Sequence, residues 1–250
     1  MNKITAIIPT LNEEIHIEDA IQSVSFADEI IVIDSFSTDK TVELAQKHNV
    51  KIIQREFDDF STQKNFAIDK ANCQWIYILD ADERVTPKLR KEILENVENP
   101  KDCVGFNINR NFYFMGKKIK YSGWQNDKVV RLFSKEYCKY DGNVVHEKII
   151  AIGKVGNLKN KINHFSYRSL EHFLNKSYRY KKMQAEQMHL QGEKSNILKI
   201  LIKPFARFLK HYFIKLGFLD GFAGFVLSII LSYGVFLRYL KLWVLNKNVK

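Results

Sequence analysis

This chain is short of cysteine, of glycine-rich phosphate loops and, over its last third, of acid. Of 250 residues only 3 are cysteine, Cys73, Cys103 and Cys138. Their odd number and scattered spacing fit neither a disulfide framework nor a zinc site, so a reduced, cytoplasmic setting is expected. No Gly-x-Gly-x-x-Gly follows the first strand-like run, and no Gly-Lys-Ser/Thr loop occurs anywhere. Both the dinucleotide fingerprint and the P-loop are thereby excluded. A bound diphosphate would have to be neutralised by metal and basic side chains instead. The first strand-like run begins almost at the N-terminus, so no signal peptide is expected. Repeats, linkers and low-complexity segments are missing as well.

What is there begins with Asp80-Ala81-Asp82, which directly follows the apolar run Trp75-Ile76-Tyr77-Ile78-Leu79. Two carboxylates at the end of a strand sit at the rim of a sheet, where hard oxygen ligands suit Mg²⁺ or Mn²⁺ held against a diphosphate. The structural alternative is an acidic turn ahead of the helix that Thr86-Pro87 would open. Three earlier strand-like runs, Ile4 to Pro9, Glu29 to Asp34 and Val50 to Arg55, alternate with segments of helical composition. Such alternation predicts βαβ units and a mainly parallel sheet, with ligands beyond the carboxyl ends of the strands. The first run opens into Pro9-Thr10-Leu11-Asn12-Glu13-Glu14, a turn able to offer backbone groups and an amide to a nucleoside. The second ends at Asp34, whose carboxylate can accept from a ribose hydroxyl or a base N–H. Asp39 reads instead as a helper at the start of the next helix, with Ser37 or Thr38 as its cap.

Four ordered pieces then carry a family resemblance: Ile-Ile-Pro-Thr-Leu-Asn-Glu-Glu (7 to 14), Val-Ile-Asp-Ser-Phe-Ser-Thr-Asp-Lys-Thr (32 to 41), Gln63-Lys64-Asn65 and Leu-Asp-Ala-Asp-Glu (79 to 83). Together they resemble glycosyltransferase family 2, the inverting GT-A enzymes. Ser122-Gly123-Trp124, Asp127, Arg131-Leu132-Phe133 and Val145-His146-Glu147 are similar to its branch of lipopolysaccharide-core β-glucosyltransferases. The resemblance implies an α/β fold of GT-A type, Rossmann-like with a mainly parallel mixed sheet. It implies that Pro9, Thr10, Asn12 and Glu13 line a nucleoside pocket, that Asp34 contacts uracil, and that Lys64 faces the nucleotide. It also implies that Asp82 ligates Mn²⁺ or Mg²⁺, with Asp80 in the ribose or metal shell and Ala81 between them. Glu83 reads equally well as a surface spectator.

An inverting transfer is a direct displacement at the anomeric carbon, so one more carboxylate has to take the acceptor's proton on the face opposite the leaving diphosphate. Glu147 is the first candidate and Asp127, beside Trp124, the second. His146 is a candidate metal ligand, with a satisfied imidazole as the alternative; His164 is a weaker candidate of the same kind.

Residues 168 to 250 hold 15 Lys and Arg against 4 Asp and Glu, a difference equal to the whole net charge of +11. From Ile197 to Lys215, Ile200, Leu201, Phe205, Phe208, Leu209 and Phe213 recur at three and four residue steps among Lys199, Lys203, Arg207 and Lys210. That pattern predicts a basic amphipathic helix of the interfacial kind rather than a nucleic-acid surface. Gly221 to Leu237 then carries no charge, at the lower edge of a spanning length, so shallow or face-on membrane association is expected over a full span.

The reading is therefore a GT-A domain over 1–167 and a basic, helical membrane-associating region over 168–250. The expected activity is inverting transfer of a hexose, glucose first, from a UDP-sugar to a lipid-linked saccharide such as the lipopolysaccharide inner core. The expected place is the cytoplasmic face of the inner membrane, against an anionic lipid surface. The alternatives are a polyprenyl phosphate, another glycolipid or a protein as acceptor, or a non-catalytic GT-A scaffold at the membrane.

Overall fold

The computed structural model describes residues 2–114, 116–123, 128–142, 148–165 and 170–247, apart from the side chains of residues 172 and 176. The chain divides into two compact units, Met1–Arg110 with Asp127–His164, and Asn111–Asn126 with Phe165–Lys250.

In the first unit the elements run β1 (Ile4–Thr10), α1 (Ile17–Ser23), β2 (Glu29–Asp34), α2 (Thr41–Ala45), β3 (Lys51–Gln54), α3 (Phe60–Asp69), β4 (Trp75–Ile78), β5 (Glu83–Arg84), α4 (Pro87–Glu98) and β6 (Cys103–Phe114), the last of which runs on into the second unit. After β7 (Lys117–Ile119) in the second unit, the first resumes with β8 (Lys128–Ser134), β9 (Cys138–Tyr140), β10 (Ile149–Ala151) and β11 (Lys154–His164). The main sheet has the order β3-β2-β1-β4-β8-β6-β11-β5. β1, β2, β3 and β4 pair in parallel, while β8 joins β4 and β6 antiparallel. The expected mixed sheet is thus present, but only its β3-β2-β1-β4 half is parallel; the pairings of β8 with β4 and β6, of β7 with β6 and of β5 with β11 are antiparallel.

Alternation along β1 explains why both sheet faces are covered. Ile4, Ala6 and Ile8 join Ile17, Ala20 and Ile21 of α1 and Leu89, Ile93 and Val97 of α4 in one core. Ile7, with Ile31, Ile33, Ile76 and Ile78, joins Ala67 and Ile68 of α3 in another. Burial of β-branched residues on both faces is the signature of parallel strands between helices. The start of α4 is as Thr86-Pro87 predicts: Thr86 Oγ1 accepts from Leu89 N at 3.2 Å and Pro87 fills the first turn. The start of α2 differs. Neither Ser37 nor Thr38 caps it; Asp39 accepts the Thr41 N–H at 2.9 Å, because Ser37 is turned back onto Asp34.

The second unit contains the end of β6, β7, α5 (Leu170–Leu190), α6 (Ile197–Leu209) and α7 (Gly221–Lys247). A single boundary at 167/168 was expected, whereas 111–126 also groups with the C-terminal helices. Asp220 supplies the physical reason. Its buried carboxylate accepts from Lys120 N at 2.9 Å, Tyr121 N at 3.0 Å and Ser122 Oγ at 3.1 Å. His211 adds a bond from Nδ1 to the Ser122 carbonyl at 2.8 Å. Phe112, Phe114, Ile119, Phe173, Ala223, Leu227 and Ile230 form the core of the unit.

The amphipathic stretch is helical from Ile197, capped by Asn196, but its apolar side is not the buried one. Only Ile200 of α6 is buried, while Leu198, Leu201, Ile202 and Phe205 are each more than half exposed. The uncharged stretch lies within a longer helix: Gly217–Lys247 is long and apolar enough to cross a membrane by length and composition. Part of it serves as a core helix, with Ala223, Leu227, Ile230, Val235 and Leu242 buried. Gly224 permits this packing, since a Cβ there would lie 2.0 Å from the Gly217 carbonyl oxygen.

Candidate active site

Parallel pairing brings three strand ends together. Thr10 stands opposite Asp34 in the β1–β2 register, and Leu79 N donates to Ile7 O at 3.0 Å, so Asp80 follows at the same carboxyl edge. Pro9, opposite Ile33, has no N–H to donate and closes β1 just before the turn.

At this edge the Asp34 carboxylate is fully buried and organises the loops around it. It accepts from Ser37 N at 3.0 Å, from Ser37 Oγ, from Gln54 Nε2 at 3.3 Å and from Thr10 Oγ1 at 3.4 Å. Ser37 Oγ in turn accepts from Asn12 N at 2.9 Å, and Asn12 Oδ1 accepts from Thr38 N at 2.8 Å. Asn12 has φ 56°, a left-handed conformation that asparagine tolerates. Glu13 N donates to Thr41 Oγ1 at 2.7 Å. Asn12, Glu13 and Asp34 therefore weld the loop after β1 to the loop after β2. One residue of that loop stands out beyond what the sequence suggests: Phe36 has φ 59° with its ring half exposed. A bulky side chain in that region costs about 1–3 kcal/mol and persists only where its surroundings over-determine it.

The carboxylates after β4 are held by a buried charge cluster. Arg131, on β8, is almost fully buried and forks onto Asp80 with both terminal nitrogens, Nη1 at 3.3 Å from Oδ1 and Nη2 against Oδ2. Arg131 Nη2 also reaches Glu83 Oε1 at 2.8 Å, and Arg110 Nη1 lies 3.7 Å from the same oxygen. Glu83 is not the surface spectator that the sequence allows, being fully buried, with Oε2 accepting from Asp80 N at 3.2 Å. Burial by itself raises the Asp80 carboxyl, but Arg131, with Lys64 behind it, outweighs that and holds it below the ordinary aspartate range. For Glu83 burial wins, helped by repulsion from Asp80 and opposed by Arg131, and its carboxyl is raised. Lys64 is buried on α3 with Nζ 5.7 Å from the centre of the Phe60 ring and 5.2 Å from that of Tyr140.

Asp82 faces differently. Its side chain is partly exposed and Oδ1 lies 3.4 Å from Nε2 of His164, the last residue of β11. The juxtaposition follows from strand pairing, because β5 runs antiparallel to β11 with His164 opposite Glu83. Ala81, buried between the two acids, leaves them on separate partners. Among the described residues no group of three His, Cys, Asp or Glu side chains stands ready to enclose a metal. Asp82 and His164 can each give one donor to a divalent ion, whose remaining ligands would have to come from diphosphate oxygens and water. Asp80 is committed to Arg131. Glu147, Asp127 and His146 lie outside the described residues.

In the sequence Arg131 stands only within a motif, with no task of its own, and His164 stands behind His146 as a candidate ligand. Arg131 carried a signal, a lone arginine ahead of the apolar pair Leu132-Phe133 on a strand, but its partner was 51 residues away. His164 carried none, since only the β5–β11 register brings it to Asp82.

The model of the family described as "Glycosyl transferase family 2" matches residues 5–151. An uncharacterized glycosyltransferase of Rickettsia typhi is 32% identical over 97% of this chain and 87% of its own length. The lipopolysaccharide core biosynthesis glycosyltransferase LpsC of Rhizobium meliloti is 27% identical over 96% of this chain and 92% of its own. Among solved structures, glucosyl-3-phosphoglycerate synthase of Mycobacterium tuberculosis, in complex with Mn²⁺, UDP and glucosyl-3-phosphoglycerate, is 21% identical with a TM-score of 0.39, covering 45% of this chain and 44% of its own. The parallel half-sheet, its acid-lined carboxyl edge and the matched span agree, and the chain belongs to glycosyl transferase family 2.

Proposed function

We propose that this glycosyltransferase moves a hexose, glucose first, from a UDP-sugar to a lipid-linked saccharide of the lipopolysaccharide-core kind, with inversion. The observation that carries the donor side is the pair Asp82 and His164 at the sheet edge that also bears Asp34. The acceptor side is supported by likeness to LpsC along nearly the whole chain.

In this reading Asp34, with Asn12, Glu13, Thr10 and Pro9, shapes the floor on which the nucleoside rests, and Phe36 offers its exposed ring to the base. Lys64 supplies a fixed positive charge near the nucleotide. The divalent cation, Mn²⁺ or Mg²⁺, would be held by Asp82 and His164 and would stabilise the charge developing on the leaving diphosphate. Arg131 and Glu83 act indirectly: by clamping the Asp80 carboxylate and its N–H they fix the turn that presents Asp82. The acceptor hydroxyl attacks the anomeric carbon as the carbon–oxygen bond to UDP breaks. Its proton passes to a carboxylate, which we assign to Glu147 first and Asp127 second.

Catalysis is assigned to residues 1–167 and membrane association to 168–250, at the cytoplasmic face of the inner membrane. The exposed apolar side of α6 and the excess of basic residues support that placement. The test is UDP release from UDP-glucose with Mn²⁺ and a truncated-core lipooligosaccharide acceptor. The expected result is acceptor-dependent release that disappears in Asp82→Ala. A chain that releases no UDP with any UDP-hexose and any glycolipid, polyprenyl or protein acceptor would overturn the reading.

A further inference from the structure

Three cations from three helices meet in the second unit without an acid among them. Lys181 of α5 donates to Gln184 Oε1 at 3.0 Å, and Arg238 of α7 donates through Nη1 to the same oxygen at 3.4 Å. Arg207 of α6 completes the group. Its guanidinium is lowered by burial and then by Arg238, and Lys181 is lowered by burial, then by Arg238 and Arg207. All three are half-buried, and the Nε atoms of Arg207 and Arg238 are buried without a hydrogen-bond partner. Among the described residues no carboxylate pairs with any of them; Glu186 is taken by Lys182 at 4.0 Å, and Asp220 by backbone amides. Gly234 of α7 makes room for Lys181, since a Cβ there would lie 3.2 Å from Lys181 Cε and 3.4 Å from Ser177 Oγ.

Like charges gathered in a partly desolvated place repel one another; Gln184 Oε1 and the Tyr239 ring, whose centre is 5.0 Å from the Arg238 guanidinium, offset part of that repulsion, and the rest is open to an anionic ligand. Those Nε atoms are closed off within the protein, and the two terminal nitrogens of a guanidinium are the fork left to grip a phosphate with two bonds. With one Gln184 oxygen shared by Lys181 and Arg238, the amide NH₂ remains as a further neutral donor. The same α6 that carries Arg207 exposes Leu198, Leu201, Ile202 and Phe205. Arg207 points about half a turn round α6 from those four side chains, toward the neighbouring helices; with the apolar side of α6 in the membrane, a basic pocket between helices at headgroup depth is placed to hold a phospholipid phosphate.

We propose that Lys181, Arg207 and Arg238, with Gln184, form a binding site for the phosphate of a membrane-lipid headgroup. This rests on the membrane placement given above, and the experiment separates the two. The full chain is compared with two charge-matched variants, Arg207→Gln with Arg238→Gln at the site, and Lys203→Gln with Lys210→Gln on the exposed surface. Binding is measured to phosphatidylcholine vesicles with and without phosphatidylglycerol, and melting is followed with glycerol 3-phosphate or inorganic phosphate.

The site pair should lose about tenfold more affinity for phosphatidylglycerol vesicles than the surface pair, the size expected of a forked charge-assisted bond. Glycerol 3-phosphate should raise the melting temperature of the native chain and leave the site pair unmoved. Without ligand the site pair should melt no lower than the native chain, because repulsion has been relieved; a much lower value would make the cations structural and overturn the proposal. Equal losses in both pairs would reduce the effect to a general electrostatic field and also overturn it. Stabilisation by inorganic phosphate with no difference between the pairs on vesicles would assign the site to free phosphate and defeat the lipid assignment. If the native chain bound no vesicle at all, the membrane placement would fall, and the melting arm would still decide whether a phosphate site exists.

Discussion

At the scale of single residues, Arg131 is the one on which the acidic edge depends. It is buried between the fully buried Glu83 and the partly exposed Asp80, and removing it would leave Glu83 with only the more distant Arg110 and Asp80 without its forked partner. Arg131→Met should cost about 3–5 kcal/mol in unfolding experiments, the usual penalty for breaking a buried pair from one side. Glu83→Gln, which keeps the shape and removes one charge of the cluster, should cost much less. Because the Asp80 carboxyl is held low, its contribution to stability is complete above the ordinary aspartate value of about 3.9 and is lost as pH falls through the lowered one. Denaturant midpoints measured from pH 5 downward should therefore fall, and the fall should shrink in Asp80→Asn. The acidic triplet was legible in the sequence because the spacing and the preceding apolar run are local. Glu83 was not, since burial of an acid is decided by the arginines that neutralise it, and those sit on β6 and β8. Phe36→Ala should weaken UDP binding by about 1–3 kcal/mol if its ring stacks on the base as proposed, which titration calorimetry would read directly.

Secondary-structure elements were more legible than their partners. The strand at Ile4 to Pro9 and the Thr86-Pro87 start of α4 follow from an apolar run and from capping chemistry, and both are present. What could not be read was which face of α6 is buried: its apolar stripe is strong, but Ile200 alone is covered, because α7 has filled its own inner face with Ala223, Leu227 and Ile230. Asp220 is the element-scale clasp, joining the turn before α7 to residues 120–122 through bonds at 2.9, 3.0 and 3.1 Å. Asp220→Ala should destabilise the second unit by roughly 2–4 kcal/mol, as expected when buried amides lose a charged acceptor. His211 gives this region a pH dependence. Burial lowers its imidazole, opposed by the Ser122 carbonyl and reinforced by Arg207, Lys210 and Lys215. The stability it contributes is therefore present above the unfolded value of about 6.5 and is lost as pH falls through the lowered one. Hydrogen exchange at residues 211–220 should accelerate below that value beyond its ordinary pH trend, and His211→Gln should remove the excess.

For the whole molecule, charge and chemistry are separated along the chain. The acids that build the donor edge lie before residue 167, while all of the net charge of +11 arises after it. That asymmetry is readable in composition alone, and it supports a neutral catalytic body held at an anionic leaflet. Liposome binding should weaken as salt is raised, and a variant with Leu201→Ser and Phe205→Ser should bind more weakly at every salt concentration, since it removes apolar area and leaves charge intact. The central claim remains the nucleotide-and-metal edge. Its most direct test is a thermal-shift comparison of UDP, GDP, CMP and dTDP, each with and without Mn²⁺, on the native chain and on Asp82→Ala. The account predicts stabilisation by UDP that needs Mn²⁺ and vanishes in the variant. Stabilisation that ignores the metal, or no response to any of the four nucleotides, would contradict it.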